Sequence, residues 1–345
     1  ITMDDLIRNE LNRSADAISR IDPAQIKAAT SAMVKSLRNG GQVIFMGNGG
    51  SSADAQHIAA ELSGRYMMER PAMAGIALSN IAPVTAIGND YSYDVVFKRQ
   101  IEANCRKGDC VVGLSTSGNS KNVILAMEAA KLREATTVTF TGSGGKMKDL
   151  ADVAVIIPTT ETPRVQEGYM VACHAICGMV EREMFGPKAV FIDRDDTIAP
   201  DCPYCDDPKK FEVFDHVPES IKKLNDAGYL VIMITNQSGI GRGYFDEGIL
   251  SKIHEKMKSQ VEASGGRIDD IFYCPHSPED KCSCRKPETG LGEMAINKYG
   301  IATSRSFMIG DSEKDMEFGK RLGCRSMQVR EGFTFSDAVA DILRS

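Results

Sequence analysis

A chain of 345 residues, 42% hydrophobic and 26% charged, is long enough for two domains with separate cores and ordinary for a globular protein. No stretch approaches the ~20 apolar residues a membrane span requires. A formal net charge of -6 supplies no basic patch for nucleic acid or anionic lipid, which leaves small molecules as the expected partners. The first residues, "ITMDDLIRNELNRSADAIS", read as an amphipathic helix rather than a signal peptide, having neither a basic start nor an apolar middle, so a cytoplasmic location is expected. Of the 10 cysteines, three cluster with a histidine at metal spacing and others lie in apolar runs; reduced thiols and one thiolate metal site are expected.

Asp22-Pro23 has the form of a helix N-cap with proline at the first helical position, and Gly40-Gly41 ends that helix. Strands are expected at "QVIFMG", "AGIAL", "CVVGLS", "TVTFTG" and "VAVIIP", separated by helical patterns and closed by a long helix from about Arg164 to Met184. Gly186-Pro187 stops that helix. A second strand–helix series then runs through "KAVFID", "LVIMITN", "IDDIFYC", "SFMIGD" and "RSMQV", with no sequence repeat between the halves. The fold class is α/β: two doubly wound, Rossmann-like domains over residues 1–186 and 187–345, joined by a linker of a few residues.

The loop "GNGGSS", Gly47 to Ser52, follows a strand and opens a helix, so Asn48, Gly49, Gly50 and Ser51 can bring backbone N–H groups and a hydroxyl to an anion. "STSGNS" repeats the arrangement with Ser115, Thr116, Ser117 and Ser120. Two such loops favour a phosphorylated ligand. His57 and Glu61 share a helix face at i, i+4, and Gln166 and His174 lie about two turns apart on the closing helix. Each histidine alone suits a plain core role, but the four together can bind Zn²⁺, and a carboxylate with an imidazole can shuttle protons between C1 and C2 of a sugar.

"GNGGSSADAQHIAAELSGRY", "AIGNDYSYD" and "LSTSGNSKNVILA" resemble the phosphoheptose isomerases of the sugar isomerase (SIS) fold, over essentially residues 1 to 185. The resemblance implies conversion of sedoheptulose 7-phosphate to D-glycero-D-manno-heptose 7-phosphate through an enediol, in a homotetramer with sites at subunit interfaces. It implies Asn48, Gly49, Gly50, Ser115, Thr116, Ser117 and Ser120 as substrate contacts, with Asn89 and Asp90 added. His57, Glu61, Gln166 and His174 would ligate Zn²⁺, with Glu61 as base and His174 as acid. One departure is Pro163, where relatives often have an acid.

In "FIDRDDT", Asp193 and Asp195 lie two apart past a strand, so an extended backbone turns both the same way, as needed when one carboxylate attacks phosphorus and the other moves a proton. "ITNQSG" adds Thr235 and Asn236, "CRKP" adds Arg285 and Lys286, and "IGDSEKD" adds Asp311 and Asp315. Hydroxyl, ammonium and a Mg²⁺-binding carboxylate on one strand edge suit phosphoryl transfer. In "CPHSPEDKCSCRKP", Cys274, His276, Cys282 and Cys284 form a Cys₃His set for a closed, structural Zn²⁺ bracing the loop that carries Arg285 and Lys286. Cys202 and Cys205 have ligand-pair spacing but no second pair, and His216 and His254 belong to no constellation.

This ordered set resembles the haloacid dehalogenase (HAD) phosphatases over about residues 188 to 345, and the zinc loop resembles the subgroup holding D-glycero-D-manno-heptose 1,7-bisphosphate 7-phosphatase and histidinol-phosphate phosphatase. It implies Asp193 as nucleophile, Asp195 as general acid/base, Thr235 and Lys286 as phosphoryl stabilisers, Asn236 and Arg285 as substrate contacts, and Mg²⁺ on Asp193, the Asp195 carbonyl and Asp311. Asp196 stands where such phosphatases usually have glycine, and Ser312 where heptose phosphatases often have lysine. The expected function is a bifunctional enzyme of nucleotide-activated heptose synthesis. The alternatives are a SIS domain that senses sugar phosphate and regulates an attached phosphatase, and histidinol-phosphate hydrolysis by the second half.

Overall fold

The computed structural model describes residues 1–202 and 207–345, so Cys205 lies outside the described residues. The chain divides into two units, Ile1–Met184 and Phe185–Ser345. In the first, α1 (Met3–Ser19) and α2 (Pro23–Arg38) lead into β1 (Val43–Gly47), α3 (Gly50–Ser63), β2 (Gly75–Ala77), α4 (Ile81–Asp90), α5 (Val96–Asn104), β3 (Cys110–Ser115), α6 (Lys121–Leu132), β4 (Thr136–Thr141), α7 (Met147–Leu150), β5 (Val153–Ile156) and α8 (Thr162–Phe185). Asp22 caps α2 through the Ala24 amide, with Pro23 in its first turn. α1 buries only Ala17, leaving Met3, Leu6, Ile7 and Leu11 exposed.

All strand pairs of the first sheet are parallel, in the order β2-β1-β3-β4-β5. Buried on both faces, β1 and β3 read as continuous apolar runs rather than alternating ones. Strand order reverses between β1 and β3, the place where the carboxyl ends of a doubly wound sheet leave a crevice.

The second unit runs β6 (Lys188–Ile192), α9 (Val217–Asp226), β7 (Tyr229–Asn236), α10 (Ser238–Gly241), α11 (Glu247–Glu262), β8 (Asp270–Cys274), α12 (Gly290–Tyr299), β9 (Phe307–Gly310), α13 (Glu313–Leu322), β10 (Arg325–Gln328) and α14 (Phe335–Arg344). Its sheet is also parallel, in the order β10-β9-β6-β7-β8, and reverses between β6 and β9. Core clusters cover both faces, one around Val190, Ile192, Val231 and Phe307, the other around Phe191, Ile232, Ile234 and Phe318. Cys105, Cys110, Cys173, Cys177 and Cys324 are buried. Burial pushes the Cys110 and Cys177 thiols up to about 12, which leaves them unreactive. Among the described residues no helix is long and apolar enough to cross a membrane.

One buried ion pair fixes the segment after α3. Glu181 of α8 accepts the amides of Tyr66, Met67 and Met68 at 2.8–2.9 Å and the Arg70 Nε at 3.0 Å, with both charged side chains 1% exposed. Arg70 spends its other donors on the carbonyls of Glu61, Leu62 and Gly64, the last turn of α3 and its cap. Burial alone would raise Glu181, but the three amides and Arg70 hold it below its ordinary value. Glu181→Ala strands a buried guanidinium and three amides, so it is expected to cost about 3–5 kcal/mol, read as a lower urea midpoint; an unchanged midpoint would mean another contact fixes this segment.

Candidate active sites

The two anion loops of the first unit sit at the ends of β1 and β3, on either side of the strand-order reversal. Gly49 takes φ 55°, a left-handed angle suited to glycine. At Gly50 a Cβ would come within 2.4 Å of the Gln166 amide, so a side chain there would displace Gln166. Ser115 Oγ lies 2.8 Å from Ser120 Oγ and 3.4 Å from Ser117 Oγ, a cluster of hydroxyls at the start of α6, with Thr116 beside it.

Other expected contacts are already committed inside the protein. The Asn48 and Asn122 amides pair reciprocally at 2.8–2.9 Å, and Tyr93 Oη donates to Asn48 Oδ1 at 2.9 Å, so the Asn48 side chain ties one loop to the helix that follows the other. Ser51 Oγ is buried against Tyr169 Oη at 2.5 Å. The Ser51 and Ser52 amides are likewise spent, on the Asn48 and Gly49 carbonyls at 3.0 Å, and Ser115 is buried. What remains for an anion among the described residues is the backbone at Gly49 and Gly50 and the more open hydroxyls of Thr116, Ser117 and Ser120. Asn89 and Asp90 are exposed at the end of α4, where Asn89 donates to Asp90 at 2.9 Å.

α3 and α8 bring His57, Glu61 and His174 together. His57 Nε2 lies 3.1 Å from Glu61 Oε1 and 3.3 Å from His174 Nε2, and one atom from each of the three falls within 4.8 Å of the others. Gln166 lies toward the loop: its Nε2 donates to Asp54 Oδ2 at 2.8 Å, which fixes the amide, and among the described residues its Oε1 has no hydrogen-bond partner. Asp54, whose carboxyl burial raises, was absent from the sequence reading, although its place three residues before His57 on the same helix face could have found it. Tyr66 stacks on His174 with centroids 5.6 Å apart and planes 12° apart, a contact that sequence spacing does not signal.

In the second unit a cavity of about 410 Å³ is lined by Asp193, Asp195, Asn236, Arg285, Lys286 and Asp311, among others. Lys286 Nζ is buried between Asp193 Oδ1 at 2.6 Å and Asp315 Oδ1 at 2.5 Å. Asn236 uses both ends of its amide on the Lys286 backbone, at 3.0 and 3.3 Å, so it positions that lysine. Carboxylate oxygens of Asp193, Asp311 and Asp315 gather within 4.8 Å; the Asp195 side chain is not among them. Burial, opposed by Lys286 and reinforced by Asp315, pushes Asp193 up to about 7, the condition in which a divalent cation fits an acidic cluster. Asp195 is held instead by Arg194 Nε at 3.0 Å and by Gln237 Nε2 at 3.0 Å, while Gln237 also donates to Thr235 Oγ1 at 2.9 Å. Arg194 and Gln237 sit inside the quoted motifs but carried no assigned role.

Cys274, His276, Cys282 and Cys284 converge after β8, with Sγ–Sγ and Sγ–Nδ1 separations of 3.2–3.6 Å. These are far beyond a disulfide bond of about 2.05 Å and close to the ~3.7 Å edge of a tetrahedron with ~2.3 Å Zn–S bonds. The donor set fits a structural Zn²⁺. Cys202 packs against the core of the unit, and His216 stacks on Phe214. His254 is buried, and burial drives its imidazole down to about 3, a packing role.

Residues 8–142 match the SIS domain family and residues 283–343 the HAD-hydrolase-like family. The chain is 47% identical to a phosphoheptose isomerase of Rhodospirillum rubrum over 184 residues, covering 52% of this chain and 97% of that protein. The first half of the chain belongs to the phosphoheptose isomerase family. A solved phosphoheptose isomerase from Francisella tularensis is 32% identical, covers 53% of this chain and 100% of its own, and superposes with a TM-score of 0.51. A D,D-heptose 1,7-bisphosphate phosphatase from B. bronchiseptica, solved with magnesium and phosphate, is 28% identical over 46% of this chain and 98% of its own, with a TM-score of 0.43. The chain is thus a fusion of a phosphoheptose isomerase-family unit with a HAD-like unit.

The departures have local explanations. In the isomerase-family half, Pro163 falls in the first turn of α8, where a missing N–H costs no helical bond. In the HAD-like half, Asp196 adopts φ 53°, a glycine-like angle, and its Oδ1 accepts the Asp201 amide at 3.0 Å. Aspartate is among the few side chains that tolerate this region, because its short polar arm bonds locally. Ser312 caps α13, its hydroxyl 2.6 Å from Asp315. Asp196→Gly exchanges backbone strain for the lost Asp201 bond and is expected to shift stability by no more than about 1 kcal/mol. Phosphate release should change less than about threefold, and a gain of orders of magnitude would mean that Asp196 distorts the nucleophile's loop.

Proposed function

We propose that this chain is a bifunctional enzyme of nucleotide-activated heptose synthesis. Its first half interconverts sedoheptulose 7-phosphate and D-glycero-D-manno-heptose 7-phosphate, and its second half hydrolyses the 7-phosphate of D-glycero-D-manno-heptose 1,7-bisphosphate. The observation that carries this reading is the fusion itself: a phosphoheptose isomerase-family unit with His57, Glu61 and His174 clustered beside two anion loops shares a chain with a carboxylate-lined HAD-like cavity. Histidinol phosphate has no relation to a heptose isomerase. A sugar-phosphate sensor would need the loops but has no use for the His57–Glu61–His174 cluster.

In the isomerase half, the loop backbone at Gly49 and Gly50 and the hydroxyls of Ser115, Thr116, Ser117 and Ser120 hold the phosphate. Asn89 and Asp90, open at the end of α4, add sugar contacts. Glu61 takes the proton from C1 of the ketose and returns it to C2, while His174 moves a proton between the two oxygens, passing through an enediol. Tyr66 keeps the His174 ring in plane. His57, Glu61, Gln166 and His174 would hold Zn²⁺, which supplies polarisation of the sugar oxygens. The isomerase resemblance implies a homotetramer, for which the exposed Met3, Leu6, Ile7 and Leu11 of α1 offer an apolar face, and a cytoplasmic location suits sugar phosphate substrates.

In the phosphatase half, the Asp193 carboxylate attacks phosphorus, the bond from phosphorus to the sugar oxygen breaks, and Asp195 gives that oxygen its proton. Asp195 then takes a proton from the water that cleaves the aspartyl-phosphate, releasing inorganic phosphate. Thr235 and Lys286 stabilise the transferring group, and Arg285 meets the substrate's second phosphate. Asp193, Asp311 and the Asp195 carbonyl would hold Mg²⁺, which supplies positive charge between the acids and the phosphoryl oxygens. The Cys₃His clip, with Zn²⁺, keeps Arg285 and Lys286 in register.

With Zn²⁺ supplied, the protein is expected to isomerise sedoheptulose 7-phosphate, and Glu61→Gln to lower kcat by about 10²–10⁴ with KM little changed. Absence of turnover in the unaltered protein would favour the sensor. In a phosphate-release assay with Mg²⁺, one anomer of heptose 1,7-bisphosphate should exceed histidinol phosphate in kcat/KM; the reverse order would overturn the second assignment.

A further inference from the structure

Arg194, between Asp193 and Asp195, is 2% exposed, Gln237, just past β7, is 5% exposed, and both side chains close on Asp195. The guanidinium grips the carboxylate at both oxygens: Nε donates to Oδ1 and Nη2 to Oδ2, each at 3.0 Å. The Gln237 amide spends its carbonyl and both N–H groups on the same set. Its Oε1 accepts from Arg194 Nη2 at 3.0 Å, and its Nε2 donates to Asp195 Oδ2 at 3.0 Å and to Thr235 Oγ1 at 2.9 Å. The Gln237 backbone N–H is fixed in turn to the Cys274 carbonyl at 2.8 Å. Around Arg194 the Phe211 ring lies 5.7 Å away, and the buried His254 imidazole, kept neutral by burial and by the Arg194 charge, brings no anion. Asp195 is therefore the counter-charge of Arg194 among the described residues. A cation buried against one partly exposed carboxylate does little to stabilise a fold; what it supplies is one fixed geometry.

We infer that Arg194 and Gln237 are positioning residues that hold the Asp195 carboxylate for both of its proton transfers and leave Oδ1 as the oxygen that makes them. This rests on the phosphatase reading of the second half. A carboxylate has about four lone-pair positions. Oδ2 takes two donors and Oδ1 one, so the vacant position belongs to Oδ1, on a residue that lines the acidic cavity. In the first step the proton on that oxygen passes to the sugar oxygen as its bond to phosphorus breaks. In the second step the same oxygen takes a proton from the attacking water, so acid and base roles alternate with no turn of the side chain. Gln237 also settles Thr235. A hydroxyl that accepts an amide N–H keeps its own hydrogen to give, and a transferring phosphoryl oxygen can accept it. One amide thus sets the proton donor and a phosphoryl-binding hydroxyl at a fixed spacing.

The test follows phosphate release by the full chain, with Mg²⁺ and Zn²⁺, from a series of aryl phosphates, which makes it independent of the sugar. The series runs from p-nitrophenyl phosphate, whose leaving group departs as a stable anion, to phenyl and p-methoxyphenyl phosphate, whose leaving groups need the proton. The quantity read is kcat/KM, which covers the chain up to departure of the leaving group. In Gln237→Met and in Arg194→Lys it should fall about tenfold or more for phenyl phosphate, part of the about 10²–10⁴-fold that a placed acid supplies. For p-nitrophenyl phosphate the loss should be clearly smaller, so that log kcat/KM declines more steeply with leaving-group pKa, as it should in Asp195→Asn. Arg194→Lys spares the bond from Gln237 to Thr235, so its loss on p-nitrophenyl phosphate should be the lesser of the two. Losses equal along the series in both variants, or a slope and rates like those of the unaltered chain, overturn the positioning role while leaving the phosphatase reading in place. An unaltered chain that releases phosphate from no member of the series overturns the phosphatase reading, and the positioning role with it.

Discussion

Parallel strands covered on both faces leave a protein one place to do chemistry: the carboxyl ends of the strands, where neighbouring connections diverge. Both units obey this constraint. In the first, the loops after β1 and β3 flank the reversal of strand order, and in the second, the segments after β6 and β9 do the same. What differs is the cargo. One edge presents amides and hydroxyls, a neutral cradle for an anion that arrives charged. The other presents carboxylates, which need a cation among them before a phosphate can approach.

That difference explains why buried charge is used so unlike in the two halves. The Arg70–Glu181 pair is closed on itself, every strong donor and acceptor spent on nearby backbone, and it works as a fastening for the segment that lays Tyr66 on His174. Lys286 is poised rather than closed. It is shared by two carboxylates, its backbone is gripped by Asn236, and it borders the acidic cavity of the second unit. Fully paired buried ions stabilise one geometry, whereas shared ones can exchange partners.

The strands, the loops after them and the cysteine quartet were legible in the sequence because each is a local pattern: apolar runs five to six residues long, glycine-serine turns, ligands two residues apart. The pairing of His57 with Glu61 was legible because helical spacing carries side-chain direction, whereas their meeting with His174 on another helix was implied by the family resemblance. The partners of those residues were not. Asn48 and Ser51 lie in the right loop, but Asn122, Tyr93 and Tyr169, which occupy their side chains, come from distant elements. Asn236 looked like a substrate contact by its place in the motif, yet its amide is turned to the Lys286 backbone. A motif fixes which residues share a site; which of them keep a free hand depends on neighbours that only folding supplies.

Asp196 bears on how such a sequence changes over time. Its backbone angle is glycine's, and its carboxylate restores locally what the angle costs, through the Asp201 amide. Aspartate and glycine codons differ by one base. A position whose backbone angle both residues accommodate is therefore one that a single base change can cross in either direction.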